Sequence, residues 1–544
     1  MNLVHEKNYV WILIIVCFFI FFMNLDVLYP NIMEARNFIT AREMVTDDNW
    51  LLTTMNGEPR YEKPPLPTWL AAFAGMLFSF DNVTALRIPS GIITLILVLF
   101  SYRFGMYFLK DKRQAFVNSL ILATSFYVVF AGRNGTWDIF AHGFMIIAIY
   151  YIFQFFSADD KIWRNALLAG IFMGLSFMSK GPVSHFALFL PFIIAYSIVY
   201  KYSNFKKKWL PLIGLIVVTV LISGWWPAYI GTVDGETATA IANKETTAWK
   251  NRNVRPFYYY WSFFVQSGAW TVVAFVSLLY PYLKTRVTNI KAYKFSLFWT
   301  LASVILLSLI PEKKSRYLLP VLIPLAYTTS FYIMYVLRAF KDEMQKLERI
   351  PIFLNFGLIG LVGVAFPIAG YIILKDNLTG FYTPFAITSI ILVMIGFFLL
   401  KYIIQRKIHL AFYLVIGFLM TVVTFGFPLA NAFLDNPKYN SLREISSKAE
   451  AEQIPVYMFN IQSPELVWDY GGKVPLLHSH KLILPQETTF KALVMIGAKE
   501  SLEKAFPKAK ITYVETFDLN PIDSTKSDYK DRLRSDMYLV ERGY

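Results

Sequence analysis

The segment "GEPRYEKPPLPTWLAAFAGMLF" (residues 57–78) places a Glu-Lys pair and two prolines directly before a run of mostly apolar residues. The chain has 544 residues, of which 56% are hydrophobic and 16% are charged, a composition typical of a polytopic membrane protein rather than of a soluble one. The topology of the chain depends on whether this segment crosses the membrane, because one more span would reverse the side of every later loop.

Thirteen other apolar runs have the length that a transmembrane helix needs. They lie at residues 9–24, 88–109, 115–131, 138–157, 164–179, 183–200, 209–230, 261–283, 295–310, 318–340, 352–374, 384–402 and 409–429. We therefore expect a polytopic α-helical membrane protein with about thirteen transmembrane helices.

Basic residues decide between thirteen and fourteen spans, because the cytoplasmic loops of membrane proteins carry an excess of Lys and Arg. The basic loops are residues 110–113, 201–208, 284–294, 338–349 and 401–407. They share one face with a cytoplasmic N-terminus only if the run that follows Pro65 does not span. That run is then predicted to be a juxtamembrane helix at the outer interface, with Pro64 and Pro65 at its start and Trp69 at headgroup level.

These loops also hold nearly all of the chain's formal net charge of +15. The basicity is therefore explained by topology, and we predict no nucleic acid partner. The single cysteine, Cys17, excludes an intramolecular disulfide and a cysteine-based metal site.

Thirteen spans after a cytoplasmic N-terminus place residues 431–544 outside the cytoplasm. Strand-like segments at 454–460, 492–497, 511–517 and 537–542 alternate there with helix-like ones, which predicts a small soluble α/β domain. We expect two domains: a transmembrane domain at residues 1–430, with its first outer loop and juxtamembrane helices at 25–87, and an extracytoplasmic α/β domain at 431–544.

The unusual polar residues fall on the predicted outer side. They occur in the loop 25–63 and in "GRNGTWD" (132–138), "MSKGP" (178–182), "NKETTAWKNRNVRPFYYY" (243–260) and "PEKKSRYLLP" (311–320). Ionisable residues at a membrane boundary cost free energy, so they usually form ion pairs or have a function. A carboxylate there can accept a proton from an acceptor hydroxyl, while Lys and Arg stabilise an anionic leaving group such as a lipid phosphate. These are the parts required for glycosyl transfer from a lipid-phosphate sugar.

Six motifs occur in a recognisable order: "MEARNFITAREM", "GEPRYEKPPLPTWL", "TWDIFAHGF", "SKGP", "RPFYYY" and "KKSRYLLP". With them the chain resembles the membrane glycosyltransferases of the GT-C fold, in the broad family of protein mannosyltransferases and lipid A aminoarabinose transferases. The motifs cover roughly residues 1–340, and the small outer domain fits the aminoarabinose branch. The resemblance implies a polyprenyl (undecaprenyl) phosphate-linked sugar donor, an acceptor at the outer leaflet or periplasm, and inversion at the anomeric carbon.

The resemblance also implies catalytic residues. The family's Asp-Glu-x-Arg motif reads Met33-Glu34-Ala35-Arg36 here, so the usual catalytic Asp is replaced by Met33. Glu34 becomes the candidate base, and Asp138, which matches the family's second acid, is expected beside it as an assisting group. We expect that replacing Glu34 with Gln abolishes transfer and leaves donor binding largely intact.

Other motif positions imply binding of the substrate and its lipid phosphate. The candidates are Arg36, Glu62, Lys63, Lys180, Arg255, Lys313, Arg316 and Tyr317. In relatives the Glu of the Glu-Lys pair can help to hold a divalent metal ion together with a histidine before "RPF". That position is Asn253 or Val254 here, which leaves Glu62 as a weak metal candidate. We therefore expect a reaction that requires no metal or other cofactor.

The resulting hypothesis is a glycosyltransferase in the bacterial inner membrane that acts at the outer face, with lipid A, a protein hydroxyl or a surface glycan as acceptor. Structural alternatives exist for single residues: Asp138 as a helix cap, Lys180 as a snorkelling side chain, and Glu62 and Lys63 as a surface pair. A polyprenyl-phosphate-sugar transporter or flippase and a catalytically silent family member are alternative functions. The distinctive motifs gather on one face, which favours transfer over transport.

Overall fold

The computed structural model describes residues 4–202, 205–434, 436–461, 463–477 and 485–542. Helices dominate up to residue 433. They are α1 (Tyr9–Phe21), α2 (Ile32–Thr46), α3 (Leu66–Phe78), α4 (Val83–Leu109), α5 (Lys112–Ala123), α6 (Phe126–Gly132), α7 (Asp138–Ser157), α8 (Ile162–Lys180), α9 (Leu190–Val199), α10 (Phe205–Val233), α11 (Gly235–Asn251), α12 (Thr271–Ser277), α13 (Tyr280–Leu283), α14 (Ile290–Leu309), α15 (Leu319–Ala339), α16 (Ile350–Leu374), α17 (Tyr382–Ile404) and α18 (Ile408–Thr421).

The chain is a multi-pass membrane protein. Within the described ranges, nine helical segments are long and apolar enough to cross a membrane, and the pair α5 and α6 makes a tenth candidate if its 66° bend is counted within one span. Helices suit this environment because they satisfy every backbone polar group internally. α15 forms the centre of the bundle, since 94% of its spanning window is buried.

The predicted number of thirteen spans stays a prediction. All thirteen apolar runs contain helix, but those near α1, α5, α9 and α12 are short or broken. The run that contains α12 is interrupted at Gly268, whose φ of +67° is left-handed and where an added Cβ would lie 2.9 Å from the Cβ of Phe126. Hydropathy measures the length of an apolar run and does not locate such bends.

Within the segment 57–78, residues Leu66–Phe78 form α3, a helix of 13 residues with Pro65 as N-cap. Its length of about 20 Å is well below the roughly 30 Å of a bilayer core, so α3 does not span by length. Ala71, Ala72 and Gly75 are buried, whereas Phe73, Met76 and Leu77 are exposed. One face therefore packs on the protein while an apolar face remains open, as in a helix that lies at a membrane interface.

The C-terminal part forms a small α/β unit. Its helices are α19 (Ile445–Glu452), α20 (Pro464–Tyr470) and α21 (Lys499–Ala505), and its strands are β3 (Val456–Phe459), β4 (Leu476–Leu477), β5 (Thr489–Met495), β6 (Ala509–Asp518) and β7 (Arg534–Arg542). A two-stranded hairpin, β1 (Thr54–Met55) and β2 (Glu58–Pro59), lies earlier, in the first loop. The C-terminal sheet has the order β4-β3-β5-β7-β6, with β3 parallel to both neighbours and β7 antiparallel to β5 and β6. All four predicted strands are present, and β4 is additional.

The α/β unit docks on the first loop through buried polar contacts. Arg42 of α2 donates to the carbonyl oxygens of Val467 (3.3 Å) and Gly472 (3.2 Å), and its guanidinium lies 5.6 Å from the ring centroid of Trp468. The side-chain amide of Asn56 exchanges two hydrogen bonds of 2.7 Å with the backbone of Val474. α2 is thereby held between the membrane helices and the α/β unit.

We expect Arg42→Ala to lower the free energy of unfolding by about 1–3 kcal/mol, because it leaves two buried carbonyl groups without a donor. The measurement is thermal unfolding of the purified protein in detergent, followed by intrinsic fluorescence. Lys473→Ala is the matched control. Its ion pair with Asp47 (2.7 Å) crosses the same interface but is largely exposed, so its loss should cost less than about 1 kcal/mol. Equal losses in the two variants would contradict this description of the interface.

Candidate functional site

A cavity of about 760 Å³ opens where the ends of α4, α6, α7 and α15 meet the loop before α2. Most of its wall is apolar, including Phe126, Phe130, Leu319 and Phe427. The charged residues in the wall are Glu34, Arg87, Arg133, Asp138, Lys314 and Arg316. The cavity is therefore amphipathic, because four cationic and two anionic side chains stand in an otherwise largely apolar wall.

Glu34 lies in this wall and is fully buried. Glu34 is the third residue of α2 and forms a capping box with the N-cap Asn31. The backbone N–H (3.2 Å) and the side-chain amide (2.8 Å) of Asn31 both donate to Glu34 Oε2. Arg87 of α4 forms a bidentate pair with both carboxylate oxygens, at 2.7 and 2.8 Å, and the N–H of Gly135 donates to Oε1 at 2.9 Å.

These five hydrogen bonds occupy both oxygens of Glu34, which offer about four lone-pair sites. No lone pair is left to take a proton from an acceptor unless the pair with Arg87 breaks. Met33 also lines the cavity, and its thioether offers no base. The assignment of Glu34 as catalytic base stays a prediction that this geometry does not favour, because the carboxylate is engaged as a structural anchor.

Asp138, the second predicted acid, is the first residue of α7 and also lines the cavity. The N-cap of α7 is Trp137, and Asp138 follows it in the first turn. Asp138 Oδ1 accepts from the buried ammonium of Lys180 at the end of α8. α8 stops there because Gly181 has a left-handed φ of +67°.

Three cations surround the ring of Tyr317. Lys180 Nζ, Lys314 Nζ and the guanidinium carbon of Arg316 lie 5.8, 5.7 and 5.8 Å from the ring centroid. We name these four residues the Tyr317 cluster. The structure thus brings together three of the predicted phosphate-binding residues, Lys180, Arg316 and Tyr317, next to Asp138.

Glu312 balances part of this charge. Its Oε1 accepts from Lys314 Nζ (2.6 Å) and its Oε2 from the hydroxyl of Tyr317 (3.2 Å), and Arg252 approaches Oε1 at 3.4 Å. Burial opposes ionisation of this carboxyl, but the hydrogen bond and charge of Lys314, with Arg252 and Tyr317, lower its pKa below the usual value. Glu312 is therefore a carboxylate at neutral pH.

Two other predicted phosphate ligands, Lys313 and Arg255, have side chains outside the Tyr317 cluster, and their assignment stays a prediction. Lys313 is buried and its Nζ donates to the carbonyl oxygens of Arg255 (3.0 Å) and Ile310 (2.7 Å), so it ties two loops together. The side chain of Arg255 is exposed and does not line the cavity. Both residues follow the motif in sequence, but their side chains do not reach the Tyr317 cluster.

Arg36, Glu62 and Lys63 form a second polar group beside the cavity. Arg60 Nε lies 3.7 Å from Glu62 Oε2, and Lys63 Nζ lies 3.5 Å from a carboxylate oxygen of Glu245. Arg60 also stacks on Trp137, the neighbour of Asp138, and burial lowers the pKa of Arg60 to about 10. Arg36 Nε and Arg316 Nε are buried and have no hydrogen-bond partner in the described structure.

The residues do not fit the divalent metal ion that relatives can hold. In the described part of the chain, no three His, Cys, Asp or Glu side chains are grouped with the geometry of a metal site. Glu62 has Arg60 as its charged neighbour and belongs to no such group among the described residues. The expectation of a metal-independent reaction stays a prediction.

The sequence interpretation missed Arg87, Arg133, Glu312 and Lys314 as residues of the site. For Arg87 a signal was present, since an arginine within an apolar helix marks a partner or a function. Arg133 adjoins "NGTWD" and donates to the carbonyl oxygens of Ile20 and Asn24, contacts that the sequence does not reveal.

Comparison with known proteins places this geometry in context. Residues 62–227 match the sequence profile of the family described as Dolichyl-phosphate-mannose-protein mannosyltransferase. The Undecaprenyl phosphate-alpha-4-amino-4-deoxy-L-arabinose arabinosyl transferase of Pectobacterium atrosepticum is 26% identical over 435 residues, which cover 74% of this chain and 73% of that protein. The protein of the same name from Shewanella sediminis is 26% identical over 361 residues, which cover 61% of this chain and 60% of the relative.

Among solved structures, the chain is similar to ArnT from Cupriavidus metallidurans bound to undecaprenyl phosphate. The TM-score is 0.71 at 14% sequence identity, with 98% of each chain covered. The apo state of the same protein gives a TM-score of 0.70. The likeness extends over the membrane helices and the α/β unit and confirms the predicted fold. The chain therefore has the fold of ArnT, as the GT-C resemblance predicted, and is similar in sequence to the arabinosyl transferases.

Proposed function

We propose that the chain transfers a sugar from a polyprenyl (undecaprenyl) phosphate donor to an acceptor at the outer face of the bacterial inner membrane, with inversion at the anomeric carbon. The observation that carries this proposal is the Tyr317 cluster, which sets three cations beside Asp138. Asp138, Lys314 and Arg316 also line the largely apolar cavity. A lipid phosphate has the matching form, with an anionic head and a hydrocarbon tail.

The cations serve the leaving group. When the bond between the anomeric carbon and the phosphate oxygen breaks, the phosphate keeps the electron pair and gains negative charge. Lys180, Lys314 and Arg316 stand where that charge develops, in a buried setting that strengthens each charge-assisted hydrogen bond. Arg316 Nε, which has no hydrogen-bond partner among the described residues, also fits a site for an anionic ligand, because a buried donor without an acceptor costs about 1–3 kcal/mol.

Asp138 is the carboxylate best placed to activate the acceptor. It lines the cavity, and only its Oδ1 is engaged by Lys180, so Oδ2 can accept the proton of an attacking hydroxyl. The acceptor oxygen then bonds to the anomeric carbon from the side opposite the phosphate, which inverts the configuration. Glu34 supports this reaction by anchoring α2 to Arg87 and Gly135.

The acceptor is a hydroxyl or phosphate group of lipid A, of a protein or of a surface glycan. The relatives named above are arabinosyl transferases, and the matching family profile is that of a protein mannosyltransferase. We propose a location with the N-terminus in the cytoplasm and the α/β unit, residues 431–544, in the periplasm beside the catalytic domain, residues 1–430. The docking of this unit on α2 supports a role near the acceptor.

Substitution of Asp138 gives the sharpest test of the mechanism. We expect Asp138→Asn to reduce transfer by at least about 100-fold, because the acceptor loses its base. Glu34→Gln, in contrast, should leave transfer measurable in the folded fraction while lowering stability by about 3–5 kcal/mol, since Arg87 loses its buried partner. The assay follows release of polyprenyl phosphate from radiolabelled polyprenyl-phosphate sugars by purified protein in liposomes with candidate acceptors.

The opposite pattern would restore Glu34 as the base: a stably folded Glu34→Gln variant without transfer, and an active Asp138→Asn variant. Binding of the donor without release across a broad panel of sugars would favour a carrier or a silent family member instead.

Chelation tests the independence from metal. The side chains of the Tyr317 cluster supply the positive charge that a divalent ion would otherwise supply. We therefore expect the rate of release to be unchanged, within about twofold, after treatment with EDTA. Loss of release that added Mg²⁺ or Mn²⁺ reverses would contradict this prediction and direct attention to Glu62.

Labelling of single cysteines tests the orientation. Cys17 is buried, so a Cys17→Ser background is suitable for introduced cysteines. In intact spheroplasts a membrane-impermeant maleimide should label Ser527→Cys in the α/β unit, and it should label Lys112→Cys only after permeabilisation. Both positions are exposed in the structure. The reverse result would place the cavity at the cytoplasmic face.

A further inference from the structure

Glu312 is a buried carboxylate that no motif assigned to the site. Its side chain is 3% exposed, yet it accepts hydrogen bonds from a lysine and a tyrosine and faces an arginine. Two of these partners, Lys314 and Tyr317, belong to the Tyr317 cluster. The donors that hold Glu312 are therefore also donors proposed for the lipid phosphate.

A tyrosine hydroxyl has one proton to donate, so Tyr317 cannot donate to Glu312 and to a phosphate at once. Lys314 has three donors, but its single ammonium charge is offset by whichever anion lies closest. A phosphate that accepts from Tyr317 must therefore take this donor from Glu312, and one that binds Lys314 must share its charge with Glu312. A carboxylate that shares its donors with a ligand also lies within a few ångströms of it and repels it.

The backbone around Glu312 is held independently of these side-chain contacts. Val254 and Glu312 form an antiparallel bridge, Lys313 N donates to the carbonyl of Asn253 (3.1 Å), and Arg255 N donates to the carbonyl of Pro311 (3.2 Å). Lys313 Nζ adds two further bonds to the same two loops. The loop therefore keeps its place without the carboxylate, and the loop geometry does not require the charge of Glu312.

We propose that Glu312 is an internal competitor for the lipid phosphate. In the ligand-free protein the carboxylate holds Lys314, Tyr317 and Arg252, and a bound phosphate takes over these donors. The donor is a phosphodiester with one negative charge, whereas the released polyprenyl phosphate is a monoester with a charge near −2 at neutral pH. Repulsion by Glu312 is therefore greater for the product than for the donor, which favours product release. This inference rests on the proposed function, because it takes the lipid phosphate as ligand.

A purely structural role makes the opposite prediction. If Glu312 only orients Lys314 and Tyr317, its removal disorders them and weakens phosphate binding. If it competes, its removal frees them and strengthens binding. The direction of the change separates the two roles.

The test measures binding of undecaprenyl phosphate to the purified full chain in nanodiscs of neutral lipid, by native mass spectrometry. We expect Glu312→Gln to bind about 10-fold more tightly than the wild type, equivalent to about 1.4 kcal/mol. Inhibition of transfer by added undecaprenyl phosphate should strengthen by the same factor. Glu312→Ala provides a second variant if the Gln variant folds poorly, because it also removes the charge.

Glu348→Gln is the matched control. Glu348 is a partly buried glutamate paired with Arg286 at 2.7 Å, distant in sequence from the Tyr317 cluster, and its substitution should leave binding unchanged. Unchanged or weaker binding in both Glu312 variants would overturn the competitor role. Absence of saturable binding by the wild type would instead remove the proposed donor class, so the two failures are distinguishable.

Discussion

The ion pair between Glu34 and Arg87 is the contact on which the rest of the site depends. A charge buried among membrane helices is tolerated only when it is paired and its remaining hydrogen-bonding capacity is used. Here the pair joins α2, α4 and the loop at Gly135, and Arg87 also donates to the carbonyl of Leu28 (2.8 Å). Both carboxylate oxygens of Glu34 accept hydrogen bonds from the surrounding residues. The pair therefore fixes one wall of the cavity.

The Tyr317 cluster holds its charges in a different way. Around Tyr317, three cations are only partly balanced by Asp138 and Glu312, and within the described residues Arg316 Nε is buried without a hydrogen-bond partner. An excess of positive charge in a poorly solvated place is unfavourable unless an anion is bound for part of the reaction cycle. The carboxylate of Glu34 is thus saturated with donors, whereas the Tyr317 cluster keeps more positive than negative charge.

The order of the motifs predicted which residues lie together better than it predicted the contacts that each of them makes. Asp138, Lys180, Arg316 and Tyr317 meet as expected, since each stands at the end of a helix or directly before one and those ends converge. Lys313 and Arg255 do not join them, because neighbouring residues on an extended loop point in different directions. Glu312 escaped notice because a single acid within a basic motif has no periodicity and no spacing that reveals its partners.

The sequence by itself determined that the chain is a multi-pass membrane protein with a small α/β unit at its C-terminal end, and it predicted a short helix after Pro65. Hydropathy, proline placement and strand alternation are local properties, and they are readable without neighbours. Only the tertiary structure decided that Glu34 pairs with Arg87 and that Glu312 faces the Tyr317 cluster. It also decided that helices bend at Ser125 and Gly268. Those outcomes depend on contacts between residues tens to hundreds of positions apart, where hydrogen-bond geometry and burial choose among partners that composition treats as equal.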